Sequence, residues 1–129
     1  MTFLTIAQGD ALGISPGMPG PNGVIPTLKA IKVLPPSSNG CNQIVCIDII
    51  GVGLFVAEWD TKAYFTSGQD TFAAYWQNNT VIATSSVGYA PPGEWEYSYW
   101  PTDQYFANNT KLCNTWIGAP GKPCETIHS

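Results

Sequence analysis

From Val24 onward the apolar positions recur every second residue, the period of a strand, and nowhere does a helical period of three to four persist. VIPTLKAIKVL, starting at Val24, runs into the break Pro-Pro-Ser-Ser-Asn-Gly at Pro35 to Gly40. The stretch from Gln43 to Trp59, QIVCIDIIGVGLFVAEW, is apolar on both parities, which suits a strand pair covered on both faces. Gly51 and Gly53 inside it are expected to mark a bulge or sharp bend between two strands. FAAYWQNNTVIATSS, from Phe72, reads as a hairpin: Phe72, Ala74 and Trp76 share one parity, and Asn78-Asn79 supplies two residues that tolerate positive φ in a tight turn. EWEYSYW from Glu94 and TKLCNTW from Thr110 complete the set. About seven or eight short strands separated by turn residues predict an all-β, antiparallel, immunoglobulin-like sandwich over residues 23–129.

Residues 1–22 differ from the rest. Three prolines and four glycines between Gly9 and Pro21 forbid a regular helix or a central strand. An extended N-terminal arm is expected, with Phe3, Leu4, Ile6, Leu12 and Ile14 as apolar anchors for a partner or a sheet edge.

The row GEWEYSYW raises a question of facing. Trp95, Tyr97 and Tyr99 share one parity, while Glu94, Glu96, Ser98 and Trp100 share the other. Burying the ring-rich parity places Trp95, Tyr97 and Tyr99 in the core with their polar tips at its rim. The two glutamates then form a solvated outer row, and Trp100, with Trp59 and Tyr89, becomes a surface contact candidate. Sixteen aromatic residues among 129 are more than a core of this size takes easily, so some rings are expected outside.

Only 11% of the residues are charged, and net charge is −4 with five lysines and no arginine. Phosphate neutralisation needs several cations, so neither nucleic acid nor an anionic membrane surface is an expected partner. No apolar run approaches the roughly 20 residues that cross a bilayer. MTFLTIAQGD lacks the basic start and long apolar stretch of a signal peptide. The low charge, the many Gly, Pro, Asn and Thr residues and the four cysteines nevertheless resemble an extracellular protein.

Four cysteines allow three connectivities. Cys41 and Cys46 lie close together in CNQIVC, and Cys113 and Cys124 flank a segment that Gly118, Pro120, Gly121 and Pro123 turn back on itself, which favours two local disulfides. Zinc is the rival: the first spacing fits a knuckle, but the second does not resemble C-x₂₋₄-C. Free thiols remain the third alternative.

The catalytic motifs dissolve on inspection. GISPG matches a nucleophile elbow in letters, but the residue after Ser15 is Pro16, which has no N–H to offer an oxyanion. His128 is the only histidine and sits one residue from the end, a poor place to hold catalytic geometry. Glu94 and Glu96 could suggest a glycosidase pair, yet nothing in the sequence around them promises the burial that raises one pKa. Asp60, Asp70 and Asp103 fit no calcium loop. Neither a metal nor a cofactor is expected, and the chain reads as non-catalytic. Asn78 and Asn108 open Asn-x-Thr acceptors, in the similar strings YWQNNTVIA and YFANNTKLC.

CNQIVCIDIIGVGLFVAEWDT and LCNTWIGAPGKPCETIHS together resemble small secreted proteins of actinobacteria, Streptomyces and its relatives, over Cys41 to His128. The shared letters are cysteines, glycines and strand residues. Some proteins of that kind are adaptor subunits of extracellular toxin particles, joining a lectin-like subunit to a larger toxin chain. The resemblance implies an extracellular assembly subunit that meets protein partners, in a hetero-complex or a homo-oligomer. The alternative is a carbohydrate-binding module that stacks exposed Trp and Tyr rings on a glycan.

Overall fold

The protein is described by a computed structural model over residues 14–29 and 40–129. Twelve strands and no helix occupy these residues. One sheet contains β1 (Thr27–Lys29), β2 (Gly40–Asn42), β3 (Val45–Val52), β4 (Phe55–Phe65), β9 (Glu94–Trp100) and β10 (Gln104–Tyr105). Its order is β1-β9-β4-β3-β2, with β10 also on β4. The second sheet runs β12-β11-β6-β7, from β6 (Ala73–Gln77), β7 (Thr80–Thr84), β11 (Thr110–Trp116) and β12 (Cys124–Ile127). A two-stranded ribbon pairs β5 (Gln69–Thr71) with β8 (Gly88–Ala90). Every pairing is antiparallel, so the all-β antiparallel expectation holds.

Turn chemistry reads as the sequence suggested. Asn78, at φ 56°, opens the two-residue connection between β6 and β7. The β3–β4 register shifts between Ile50 and Gly51, and Gly53, at φ 61°, turns the hairpin. Gly51 is forced: a Cβ there would meet the Phe55 carbonyl oxygen at 2.0 Å.

The two sheets meet over a core in which rings do most of the filling. Trp59 on β4 and Trp100 on β9 are direct register partners, both fully buried, with ring centroids 5.4 Å apart. Tyr75 of the opposite sheet sets its edge against both, at 5.0 and 5.2 Å. The polar tips are satisfied across the layer. Trp59 Nε1 donates to Asn114 Oδ1 at 2.7 Å, Trp116 Nε1 donates to Thr61 Oγ1 at 3.0 Å, and the Tyr75 and Ser98 hydroxyls lie 2.7 Å apart. Asn114 Nδ2 in turn donates to the Ala74 carbonyl at 3.0 Å. Buried polar groups of this kind cost stability unless paired, so the bonds also fix how one sheet sits on the other.

A smaller apolar cluster covers the far side of the second sheet. Phe72 and Ala74, with Trp76 beside them, face away from Ala73 and Tyr75, as the hairpin parity predicted. Ile14, 6% exposed, packs on Phe72 and Ala74. The partner-anchor role expected of Ile14 is therefore corrected: its side chain is spent on its own domain. Phe3, Leu4, Ile6 and Leu12 lie outside the described residues.

The Pro/Gly segment after Ile14 straps the two sheets together. Gly17 N–H donates to the Ser85 carbonyl, Thr84 N–H donates to the Met18 carbonyl, and Thr84 Oγ1 donates to the Ser15 carbonyl. Farther on, Asn22 Nδ2 donates to the Pro101 and Thr102 carbonyls, and Trp100 Nε1 donates to Asn22 Oδ1 at 3.2 Å. Gly20 lies directly on the indole of Trp100, where a Cβ would come within 2.2 Å of the ring.

Both disulfides form as expected, Cys41 with Cys46 and Cys113 with Cys124. Each joins residues directly opposed in register, and each ties down an outermost strand, β2 in one sheet and β12 in the other. They are consistent with an oxidising environment. Edge strands are the parts of a sheet most prone to peel or pair elsewhere, so the disulfides secure one edge of each sheet.

Removing the Trp100 ring takes one half of the stack and the seat of Gly20. Trp100→Ala is expected to cost about 3–5 kcal/mol in urea melts, the usual range for a fully buried large ring. Trp95→Ala, on the other parity of the same strand, is expected to cost less than about half of that.

Candidate functional site

The buried Trp59–Trp100 pair decides the facing of β4 and β9, and with it the outer surface of the large sheet. Trp59, Thr61, Ala63 and Phe65 point inward along β4, so Glu58, Asp60, Lys62 and Tyr64 point out. On β9 the inward residues are Glu96, Ser98 and Trp100, which leaves Trp95, Tyr97 and Tyr99 outside. The expected facing of this row is thus inverted. Ser98, small and hydrogen-bonded to Tyr75, leaves room for the Trp59, Trp100 and Tyr75 rings between the sheets, where three alternating rings from one strand would overfill it.

Two surface candidates fall with that inversion: Trp59 and Trp100 are both 0% exposed and belong to the core. Tyr89 is 60% exposed, on β8 at the Phe65 end of the sandwich. The solvated reading of Glu96 is also corrected. Its side chain is 1% exposed, Oε2 finds no hydrogen-bond partner among the described residues, and burial, reinforced by the charge of Glu94, pushes its carboxyl pKa up.

Register places the outer side chains in rows. Asp48, Asp60, Tyr99 and Thr27 form one row across β3, β4, β9 and β1. The next holds Cys41, Cys46, Lys62, Tyr97 and Lys29, and beyond it Tyr64 stands beside Trp95. Tyr97 and Tyr99 are parallel to within 7° with centroids 6.2 Å apart, but Tyr97 is 3% exposed. Tyr64 meets Trp95 edge-on at 5.4 Å, and Lys62 Nζ sits 4.5 Å from the Trp95 ring. On the other side of the acid row comes Ile50 opposite Glu58, and then Val52, Phe55 and Tyr105 across three strands.

That last row is the most open apolar surface described. Val52 is 81% exposed, Tyr105 75% and Ile50 44%, with the Phe55 and Tyr105 rings 5.0 Å apart. The bulge opposite Gly51 makes the row: with Ala57 as the extra residue of β4, Val56 stays in the core while Phe55 turns outward with Val52. Sequence reading missed these residues. The run that holds Ile50, Val52 and Phe55, apolar on both parities, was expected to be covered on both faces; at Ile50 and Val52 its outer face is open instead.

The acid row carries the electrostatics. Asp60 is raised to about 9, first by burial, then by a hydrogen bond shared with Glu58 and by the charges of Glu58 and Asp48, against a small opposing effect of the Trp100 backbone N–H. Asp60 Oδ1 is buried without a partner among the described residues. Asp48 is raised by burial and by Glu58, with Lys62 acting the other way. Burial and the charge of Asp60 push Tyr99 up to about 12. Burial and the carboxylates beside it thus favour the protonated form of Asp60 at neutral pH.

Asp70 and Asp103 do not join this group; they lie on β5 and in the loop after β9. Among the described residues, no group of three or more His, Cys, Asp or Glu side chains is arranged to hold a metal ion. His128 is exposed. No protein-family model, curated protein or solved structure matches this chain.

The sign of the pH dependence follows from Asp60. An ordinary carboxyl at 3.8 becomes about 9 in the fold, so the native state holds a proton that the unfolded chain releases. Stability contributed by that proton is complete below about pH 4, declines as pH rises towards 9 and levels off above it. Asp60→Asn is expected to flatten this decline in urea melts taken from pH 4.5 to 9.5 and to be more stable than wild type at pH 8.5. Parallel curves for the two proteins would show that Asp60 ionises normally.

Proposed function

We propose that this is a non-catalytic, secreted interaction subunit that meets a protein partner through the outer face of its large sheet, at the β3–β4 hairpin end. The observation that carries the reading is the Val52–Phe55–Tyr105 row, in which Val52 and Tyr105, each at least three-quarters exposed, flank Phe55 in register. Large apolar side chains gathered on a surface cost little to leave exposed singly, but a contiguous row is what an interface buries. A rigid, doubly stapled sandwich presents such a row without ordering cost on binding. The two disulfides fit an extracellular setting, and no helix among the described residues is long and apolar enough to cross a membrane. The resemblance to secreted actinobacterial assembly subunits agrees with this role.

The glycan alternative has less behind it. A sugar platform needs open rings lying in one plane. The parallel pair Tyr97 and Tyr99 is largely closed on the Tyr97 side, and the open pair Phe55 and Tyr105 is tilted by 55°.

Photo-crosslinking tests the reading. With p-benzoylphenylalanine at position 52 or 105, the protein expressed in its native culture is expected to give one discrete heavier adduct, and the same group at position 89 to give none. Absence of any adduct, or equal adducts from all three positions, contradicts an interface on this face.

A further inference from the structure

Resting on that reading, we infer the chemistry of the partner: it presents an apolar side chain to the Val52–Phe55–Tyr105 row and a lysine or arginine next to it, reaching Glu58 and Asp48. The composite surface dictates both halves. Across the bulge, Glu58 and Phe55 stand opposite Ile50 and Val52, two residues or about 7 Å apart along β3, which one partner segment spans easily. Ile50, directly opposite Glu58, continues the apolar row up to the carboxylates without a gap. Among the described residues, the lysines of this face, Lys29 and Lys62, stand one row beyond the acids, and Lys62 is turned onto the Trp95 ring. Beside the apolar row the field is therefore that of Asp48 and Glu58, with Asp60 holding its proton between them, and opposite charge on the partner is what complements it. An acidic partner would set like charges against one another next to its own anchor. A second copy is a poor occupant for the same reason, since the chain carries net charge −4, no arginine and nine carboxylates against five lysines. The cation also relieves the crowding of carboxylates, because a positive charge beside Asp60 favours its ionised form.

Three synthetic peptides with one Leu-Trp-Leu core, flanked on both sides by Lys, Gln or Glu, serve as probes, titrated into the full chain while its amide resonances are followed at 50 and 300 mM salt. The Lys-flanked peptide is expected to shift residues 50–58 and 105, and to bind about tenfold more tightly than the Gln-flanked one at low salt. That advantage should shrink at 300 mM salt and vanish in D48N/E58Q, whereas V52S/Y105S should weaken all three peptides. Equal binding of Lys- and Glu-flanked peptides on the row overturns the partner's charge while leaving the interface reading intact. Shifts by none of the peptides on residues 50–58 and 105 overturn both. Lys-flanked binding that V52S/Y105S leaves unchanged is attraction to net charge alone and overturns the inference. Light scattering that shows a dimer lost in V52S/Y105S assigns the row to a second copy, and overturns it as well.

Discussion

Trp59 and Trp100 lie opposite each other on two neighbouring strands, and both rings are buried on the same side. A strand turns successive side chains to opposite faces, so this one pair fixes the facing of β9 and of β4 from Glu58 to Phe65, up to the bulge. Slipping either strand by a single residue would expose one of the largest side chains in the chain and bury a charged or phenolic one. Tyr75 and Asn114 lock the arrangement from the opposite sheet, through ring edges and through the bond to Trp59 Nε1. The strap from Ser15 to Asn22 closes over it, with Gly20 fitted on the Trp100 ring.

The outer face is the complement of that core. Because the rings of 59 and 100 go inward, Glu58, Asp60 and Tyr99 go outward, and Asp48 arrives beside them by register with β3. Partial burial and crowding then favour the protonated form of Asp60 at neutral pH. The bulge opposite Gly51 adds an apolar row to the same face by re-aiming one hairpin end. A surface that combines an open apolar row with clustered carboxylates costs stability at both features, since neither repulsion nor exposed rings help the isolated fold. Such a surface makes physical sense when something covers it.

Much of the architecture was legible in the sequence, for local reasons. Period-two alternation, the Asn78-Asn79 turn, the glycines at 51 and 53 and the cysteine spacing are short-range signals, and each corresponds to an observed feature. The facing of EWEYSYW was not legible, because both parities of that strand carry rings and nothing within it says which side is covered. Trp100 wins the interior through partners distant in sequence: Trp59, Tyr75, Gly20 and Asn22. The same long-range origin hid the site. Asp48, Asp60 and Tyr99 come from three separate segments, and only the register of three strands puts them in one row. The burial of Glu96 was hidden for the same reason, since its neighbours across the layer are not its neighbours in the chain.

Indole hydrogen exchange, read by NMR for the five tryptophans, tests the parity on which all of this rests. Trp59 and Trp116, bonded inside the core to Asn114 and Thr61, should exchange slowest, Trp100 under the strap next, and Trp95 on the outer face fastest. A protected Trp95 together with a rapidly exchanging Trp59 or Trp100 would contradict the facing of β4 and β9, and with it the outer face built on that facing.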